Sequence, residues 1–243
     1  MRIVAVAVVG VIFAAGPACG GNDTASGRAI EPEAQQKAES INLTLADFPD
    51  EWRVAAPESD DDTGREVFNE CISVDDSGLT RIGDAKSQDF FEQAPSGSAT
   101  QASSAVVIFD DEQQAEDAMS KYSEDFGGST AEDCFQDANE RVVRAEGNDP
   151  PEGFKFGEVD IGELSFTPPD VDEAQAWQIV MPVESLSGVG EGPEVNFYLE
   201  LVLLREGDTT ARLLTQEVET KFDRELLDKL AETIAGRMSE SAK

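Results

Sequence analysis

Four segments in the second half of the chain have the residue pattern of β-strands. They span residues 159–166, 174–183, 195–204 and 210–218, and turn-forming residues separate each from the next. This order predicts an antiparallel β meander. In the second segment the alternation shifts phase by one residue at Trp177. The third segment is apolar on both faces apart from Glu200, which predicts a central strand covered on both sides.

Helical periods flank these strands. The run from Ala105 to Phe109 predicts a buried strand, after which Asp111 and Gln114 form a capping-box pattern that begins a helix ending at Gly127. Ser129 begins a second helix, which carries Cys134, and residues of about 223–239 form a last amphipathic helix. The predicted fold class is therefore α+β: an antiparallel sheet with a C-terminal β meander, packed by two or three helices.

The amino terminus has the pattern of an exported chain. Arg2 precedes an apolar run from Ile3 to Ala15, and small residues follow as far as Cys19. Residues 16–19 resemble a lipoprotein lipobox: Ala18 and Cys19 fit, whereas Gly16 stands where Leu is usual and position 17 is proline. We expect residues 1–18 to be a signal peptide and Cys19 to carry the lipid, with palmitate among its acyl chains. A retained anchor is the first alternative, although a span needs about 20 apolar residues; cleavage by the ordinary peptidase is the second.

Residues 19–42 are small, polar and acidic, which predicts a lipidated start followed by a flexible tether. A single extracytoplasmic domain is expected over residues 43–240. Its first apolar anchors are Leu43, Leu45, Phe48 and Trp52.

The charge of the chain limits its partners. With 51 acidic and 18 basic residues the net charge is −33, so nucleic acid is disfavoured as a partner. Solubility or adaptation to a salty medium explains such a surface, and capture of a cation or a basic partner is the functional alternative. The chain has no histidine, which removes the commonest general base and the commonest zinc ligand.

Two cysteines remain once Cys19 is assigned to the anchor. Cys71 and Cys134 are an even pair, and an oxidising compartment makes a disulfide between them the default expectation. A zinc or redox pair is the alternative, but it lacks both a C-x-x-C spacing and partner ligands.

Other motifs are weak. Ser59, Asp61, Thr63, Gly64 and Glu70 match positions of a calcium-loop template, but the first position lacks its Asp and Glu66 stands where an apolar residue is usual. A solvated loop is therefore expected, with no metal, cofactor or catalytic residue. The glycine-rich residues 188–193 have no lysine and predict a hairpin connection. Trp52 and Trp177 are expected in the core, with a pocket lining as the alternative.

The motif order resembles a known group of domains. A lipidated start is followed by Leu-Ala-Asp-Phe-Pro-Asp-Glu-Trp, Cys71, Ala-Val-Val-Ile-Phe-Asp, Cys134, the meander and a closing helix. This resembles the extracytoplasmic sensor-type domains of actinobacterial lipoproteins and of mycobacterial receptor serine/threonine kinases. The resemblance implies an α+β fold with a ligand-binding cleft. It also implies two disulfides, of which this chain can form one.

The sequence thus favours a lipoprotein on the extracytoplasmic face of the cell membrane, bound to the membrane through its lipid anchor. Its domain is expected to bind an unknown ligand or protein partner without catalysis. The alternative is a carrier of lipid or another hydrophobic molecule in the cell envelope. A hydrolase would need two carboxylates facing each other across a cleft.

Overall fold

The protein is described here by a computed structural model, which covers residues 29–55, 70–72, 78–93, 99–145, 154–165, 170–185 and 194–242 of the chain. Four helices of ten or more residues lie in this part of the chain: α1 Pro32–Ile41, α2 Glu112–Phe126, α3 Ser129–Ala145 and α4 Arg224–Ser241. A 3-10 turn at Leu45–Asp47 follows α1, and residues 70–72 are helical.

Nine strands form one antiparallel sheet. They are β1 Arg53–Val54, β2 Arg81–Lys86, β3 Phe90–Gln93, β4 Ala99–Phe109, β5 Phe154–Phe156, β6 Asp160–Glu163, β7 Glu173–Ser185, β8 Glu194–Glu206 and β9 Thr209–Val218. The main order is β1-β3-β4-β9-β8-β7-β5. β2 and β3 both pair with β4, at successive positions along it, and β1 pairs with β3 on its outer side. β5 and β6 both pair with β7 on the opposite side of the four long strands.

Strand β8 lies at the centre, between β7 and β9. It pairs with β7 from Glu194 to Arg205 and with β9 from Phe197 to Glu206, and its residues from Leu199 to Leu204 are buried. The antiparallel pairing of β7, β8 and β9 in chain order is the predicted meander, and the α+β prediction is confirmed.

Helices cover both faces of the sheet. On the first face, α1 and α4 pack against strand residues that include Val106, Val202 and Leu213. On the second face, Met119 and Phe126 of α2 and Phe135 of α3 pack with Trp177 and other β7 and β8 residues. A sheet buried on both faces needs apolar residues at successive positions, which is why residues 201–204 are Leu-Val-Leu-Leu.

The helix boundaries follow from local capping. The Asp111 carboxylate accepts a hydrogen bond from the Gln114 backbone N–H (3.0 Å) and another from the Gln114 side chain (3.1 Å). The Asp223 carboxylate accepts from the N–H groups of Glu225 and Leu226, at 2.8 and 3.1 Å. Each of the three bonds from a backbone N–H satisfies a donor that the first helical turn leaves free, so Asp111 and Asp223 fix the starts of α2 and α4.

The predicted tether is wrong from Pro32 onward. Residues 32–41 form α1, and Ala34, Ala38 and Ile41 are buried against the sheet. Backbone is in close contact there: an added side chain at Gly83 of β2 would lie 2.6 Å from the Ala34 carbonyl carbon. The helix is held by this close fit to the sheet, which a local sequence pattern does not reveal.

Smaller differences concern the strands and one anchor. β7 keeps a continuous register with β8, so there is no phase shift: Ala174 and Ala176 lie on the first face, and Trp177 and Ile179 lie on the second. β4 extends back to Ala99, and the strand expected at 159–166 is limited to Asp160–Glu163. Leu45 is exposed rather than an anchor because its 3-10 turn directs it to solvent.

Candidate functional site

A row of polar side chains crosses the first face of the sheet next to the start of α4. Gln178 of β7 is opposite Glu200 of β8, and Glu200 is opposite Thr215 of β9. Directly opposite residues of an antiparallel sheet project to the same face. Glu200 also shares the face of Val202, two residues further along β8, which belongs to the α1/α4 core. We call Gln178, Glu200 and Thr215 the inner row.

Glu200 is the acidic group of the inner row and is only 3% exposed. Gln178 Nε2 donates to its Oε1 at 2.9 Å. Its Oε2 makes no hydrogen bond to any residue that the structure describes, although the Thr215 hydroxyl is close to the carboxyl group. Burial raises the pKa of Glu200, and the Gln178 hydrogen bond, the charges of Arg224 and Lys221 and the Thr215 hydroxyl offset part of this rise.

A second row of half-buried side chains lies beside the inner row on the same face, two residues further along each strand. Val180 of β7 is opposite Tyr198 of β8, and Tyr198 is opposite Glu217 of β9. We call these three residues the outer row, and the inner and outer rows together the acidic surface. It is the part of the first face where polar side chains replace the apolar core.

Glu217 is the carboxyl group of the outer row. Thr220 Oγ1 donates to its Oε1 at 2.8 Å. Partial burial raises its pKa, and the charges of Glu92 and Asp223 add to the rise, while hydrogen bonds from Thr220 and Thr100 act in the opposite direction. Two carboxyl groups on neighbouring strands of one face therefore both resist ionisation.

One cation reaches over these rows. Lys221 lies in the turn between β9 and α4, and its Nζ donates to Gln178 Oε1 at 2.7 Å. The same Nζ lies 6.0 Å from the centre of the Tyr198 ring, at the limit of a cation–π contact. The turn is fixed on both sides, because Glu219 has a left-handed φ of 73° and Phe222 is buried.

An aromatic cluster closes the other side of the inner row. Phe90 of β3 is opposite Ala102 of β4, which is opposite Thr215. Phe48 stacks on Trp52 with ring centres 4.6 Å apart, and it lies 4.6 Å from Phe90. Phe222 meets Trp52 edge-on at 6.1 Å. These rings exclude water from the Thr215 side, which contributes to the burial of Glu200.

The acidic surface offers hydrogen-bond acceptors, an aromatic ring and negative charge. Glu200 and Glu217 lie on one face of adjacent strands and do not oppose each other across a cleft, as a two-carboxylate hydrolase requires. No group of three or more acidic or cysteine side chains suited to a metal ion occurs among the described residues. The arrangement is suited to binding a polar or cationic group.

The disulfide lies away from this surface. Cys71 and Cys134 are bonded, with their Cα atoms 5.6 Å apart, and they pack with Phe135 on the second face. This is the bridge expected from the sequence. Cys19, the expected lipid attachment residue, lies outside the described residues.

Two of the other predicted motifs also lie mostly or wholly outside the described residues. Of the calcium-loop positions, only Glu70 is described, and its carboxylate accepts from Arg141 Nη1 at 2.8 Å. Residues 188–193 lie outside. Trp52 and Trp177 are 1% and 6% exposed and pack in the cores of the first and second face, so the core expectation is confirmed for both.

Sequence reasoning missed the acidic surface, but one signal for it was present. Glu200 is the lone charged residue in the apolar run 197–204. Because acidic residues are rarely buried without a partner, an acid in a central strand indicates a candidate functional site. Gln178, Thr215 and Glu217 have no such signal, because polar residues at alternate positions are ordinary in a strand.

No protein-family profile matches the chain, and no curated protein matches it. Among solved structures it is similar to the extracellular domain of PknH from Mycobacterium tuberculosis, at 12% identity and a TM-score of 0.35, over 86% of this chain and 98% of that one. It is also similar to an uncharacterized protein from Mycobacterium smegmatis, at 9% identity and a TM-score of 0.29, over 78% and 92% of the two chains. Similarity at this level carries no argument about function.

Proposed function

We propose that this protein is a lipid-anchored lipoprotein of the cell envelope, and that its extracytoplasmic domain binds a small ligand at the acidic surface without catalysing a reaction. The observation that carries the proposal is Glu200, an acid 3% exposed on the central strand with one oxygen unpartnered among the described residues. A buried carboxyl group without a full set of partners costs stability, and such groups cluster at functional sites.

The surroundings of Glu200 support binding rather than a purely structural role. The Asn42–Ser104 network on the same face shows how this fold satisfies a structural polar pair: Ser104 Oγ donates to Asn42 Oδ1 at 2.7 Å and accepts from the Leu43 N–H at 3.0 Å. The Glu200 carboxyl group lacks such a full set of hydrogen bonds, and Tyr198 and Glu217 next to it are half-buried. An added ligand donor would complete its hydrogen bonding.

Two features support the cellular location. The leader before Cys19 has the pattern of an exported lipoprotein. The Cys71–Cys134 disulfide is typical of proteins that work outside the reducing cytoplasm. Among the described residues, no helix has the length and apolar character needed to cross a bilayer.

A thermal-shift screen tests the binding role. Small molecules of cationic, anionic and neutral classes are added to the wild type and to Tyr198→Ala, and each shift is measured from the variant's own melting temperature. We expect at least one compound to raise the melting temperature of the wild type and not that of Tyr198→Ala. The control is Tyr122→Ala, the loss of the other tyrosine, which packs on the second face. Shifts that persist unchanged in Tyr198→Ala would contradict binding at the acidic surface.

A further inference from the structure

We propose that the group recognised at the acidic surface is a primary ammonium, and that the Lys221 side chain occupies its place in the free domain. This rests on the proposed function, because it names the chemistry of the same site. Three features support it: the position of Lys221, the unused acceptor on Glu200 and the charge around both.

Lys221 is placed as a ligand ammonium would be. Its Nζ lies over the Tyr198 ring and donates to Gln178 Oε1, and Gln178 in turn donates to Glu200 Oε1. The Gln178 amide therefore lies between the cation and the acid, and it makes a hydrogen bond to each of them. An ammonium carries three donors, and this hydrogen bond is the single one that Lys221 Nζ makes among the described residues.

The acid behind Gln178 has an acceptor that Lys221 does not use. Glu200 Oε2 is unpartnered within the described part of the chain, and the residue is more than nine-tenths buried. A ligand ammonium that reached this oxygen would form a charge-assisted hydrogen bond with a carboxylate shielded from water. Such a contact would also favour the charged form of Glu200, because a nearby cation promotes ionisation.

The surrounding charge selects for a cation. Glu217, Glu92 and Asp223 add negative charge at the outer row. The neighbouring cation, Arg224, is engaged elsewhere: its Nη2 donates to the Ser165 carbonyl at 2.6 Å, and its Nε lies 3.1 Å from Asp228. An anionic ligand would meet repulsion here. A quaternary ammonium would gain the ring contact but has no N–H for Gln178 or Glu200, so a primary amine is favoured.

The test compares three probes of equal chain length: n-butylammonium, butan-1-ol and butyrate. Each is titrated by calorimetry into the purified full chain at neutral pH and about 150 mM salt, which screens general attraction to the acidic protein. We expect binding of n-butylammonium alone. Lys221→Met removes the resident ammonium and should strengthen that binding about tenfold, and Glu200→Gln should abolish it.

The control is Lys229→Met, which makes the same charge change at an exposed position of α4. Equal affinity for n-butylammonium in Lys221→Met and Lys229→Met would overturn the inference, since the gain would then come from net charge. Binding of butyrate or butanol instead, lost in Tyr198→Ala, would overturn the ammonium inference and leave the proposed binding role intact. A Lys221→Met protein that does not bind n-butylammonium would also overturn the ammonium inference. The proposed binding function is tested separately, by the thermal-shift screen.

Discussion

Glu200 shows how a single residue makes the stability of this fold depend on pH. Its pKa in the folded protein lies above that in the unfolded chain, chiefly because it is buried. The folded state therefore holds the proton more tightly, and the free energy of unfolding falls as pH rises through the interval between the two pKa values. Glu217 acts in the same direction, so the acidic surface is a source of instability at neutral pH that a bound cation would relieve.

The first prediction follows from the upward shift of the Glu200 pKa. Glu200→Gln should raise the melting temperature at pH 8 by about 2–4 °C, because it removes a buried charge while keeping the acceptor for Gln178 Nε2. The gain should shrink as pH falls toward 4, where the wild-type carboxyl group is protonated. Scanning calorimetry across this range measures it. Glu232→Gln, at an exposed position of α4, is the control and should show no such trend.

The second prediction concerns Cys19. Replacing it with Ala removes the thiol that would carry the lipid, so the protein should leave the membrane fraction. Fractionation of cells that produce each form, followed by a high-salt wash, measures this. A Cys19→Ala protein that stays with the membrane after washing would mean that the apolar run from Ile3 to Ala15 is itself the anchor.

Helix α1 is the element whose role depends most on tertiary contacts. Beyond its alanine contacts, Asn42 at its end is tied to β4 through Ser104, and Arg237 of α4 donates to the Asn42 carbonyl at 2.7 Å. The other Arg237 amino group donates to Asp47 at 2.7 Å. These bonds connect three elements that are far apart in sequence, so α1 belongs to the folded domain and not to a linker.

The third prediction tests that attachment. Gly83→Ala places a methyl group within 2.6 Å of the Ala34 backbone, so α1 must move, and we expect a loss of about 1–3 kcal/mol in stability. Trypsin should then cleave after Lys37 sooner than in the wild type. The matched control is Gly162→Ala on β6, where an added methyl group meets nothing within 4 Å. Equal protection at Lys37 in both variants would show that α1 does not depend on this contact.

The elements differ in how far sequence predicts them, and the reason is physical. β7, β8, β9 and α4 bury wide apolar surfaces, which leave a clear apolar pattern in the sequence. The short strands β2, β3 and β5 were missed because their pairing depends on the long strands β4 and β7 beside them. The acidic surface was missed for a related reason: it is assembled from three strands, and cross-strand register cannot be obtained from one strand's pattern.

At the scale of the whole molecule, charge works against folding. With a net charge of −33, the fourth prediction is that added sodium chloride raises the melting temperature, since screening weakens repulsion among the acids. Calcium should add little beyond a sodium control of equal ionic strength. A saturable calcium shift that Glu70→Gln abolishes would instead establish a site at Ser59 to Glu70.

The disulfide offsets part of the destabilisation that this repulsion causes, because it lowers the conformational entropy of the unfolded chain. Cys71 and Cys134 are 63 residues apart, and closing a loop of this length contributes roughly 4 kcal/mol on the chain-entropy estimate. The fifth prediction is that Cys71→Ser with Cys134→Ser lowers stability by an amount of this order in chemical denaturation. Intact mass should rise by two hydrogens on reduction of the wild type. Two thiols that react with an alkylating agent before reduction would contradict the bridge.

The placement of α1 determines how the protein would be oriented above a bilayer. Nine residues lie between Cys19 and Ala29, and the ten residue-to-residue steps can span at most about 36 Å, less than half the reach of a tether that continued to Leu43. The Glu31 N–H donates to the Ile82 carbonyl, level with the Ile108 end of β4, whereas Thr100, near the other end, lies beside Glu217. About 27 Å of strand separates these levels. A domain held by its lipid at the α1 end would thus present the acidic surface outward, toward the cell wall and the medium.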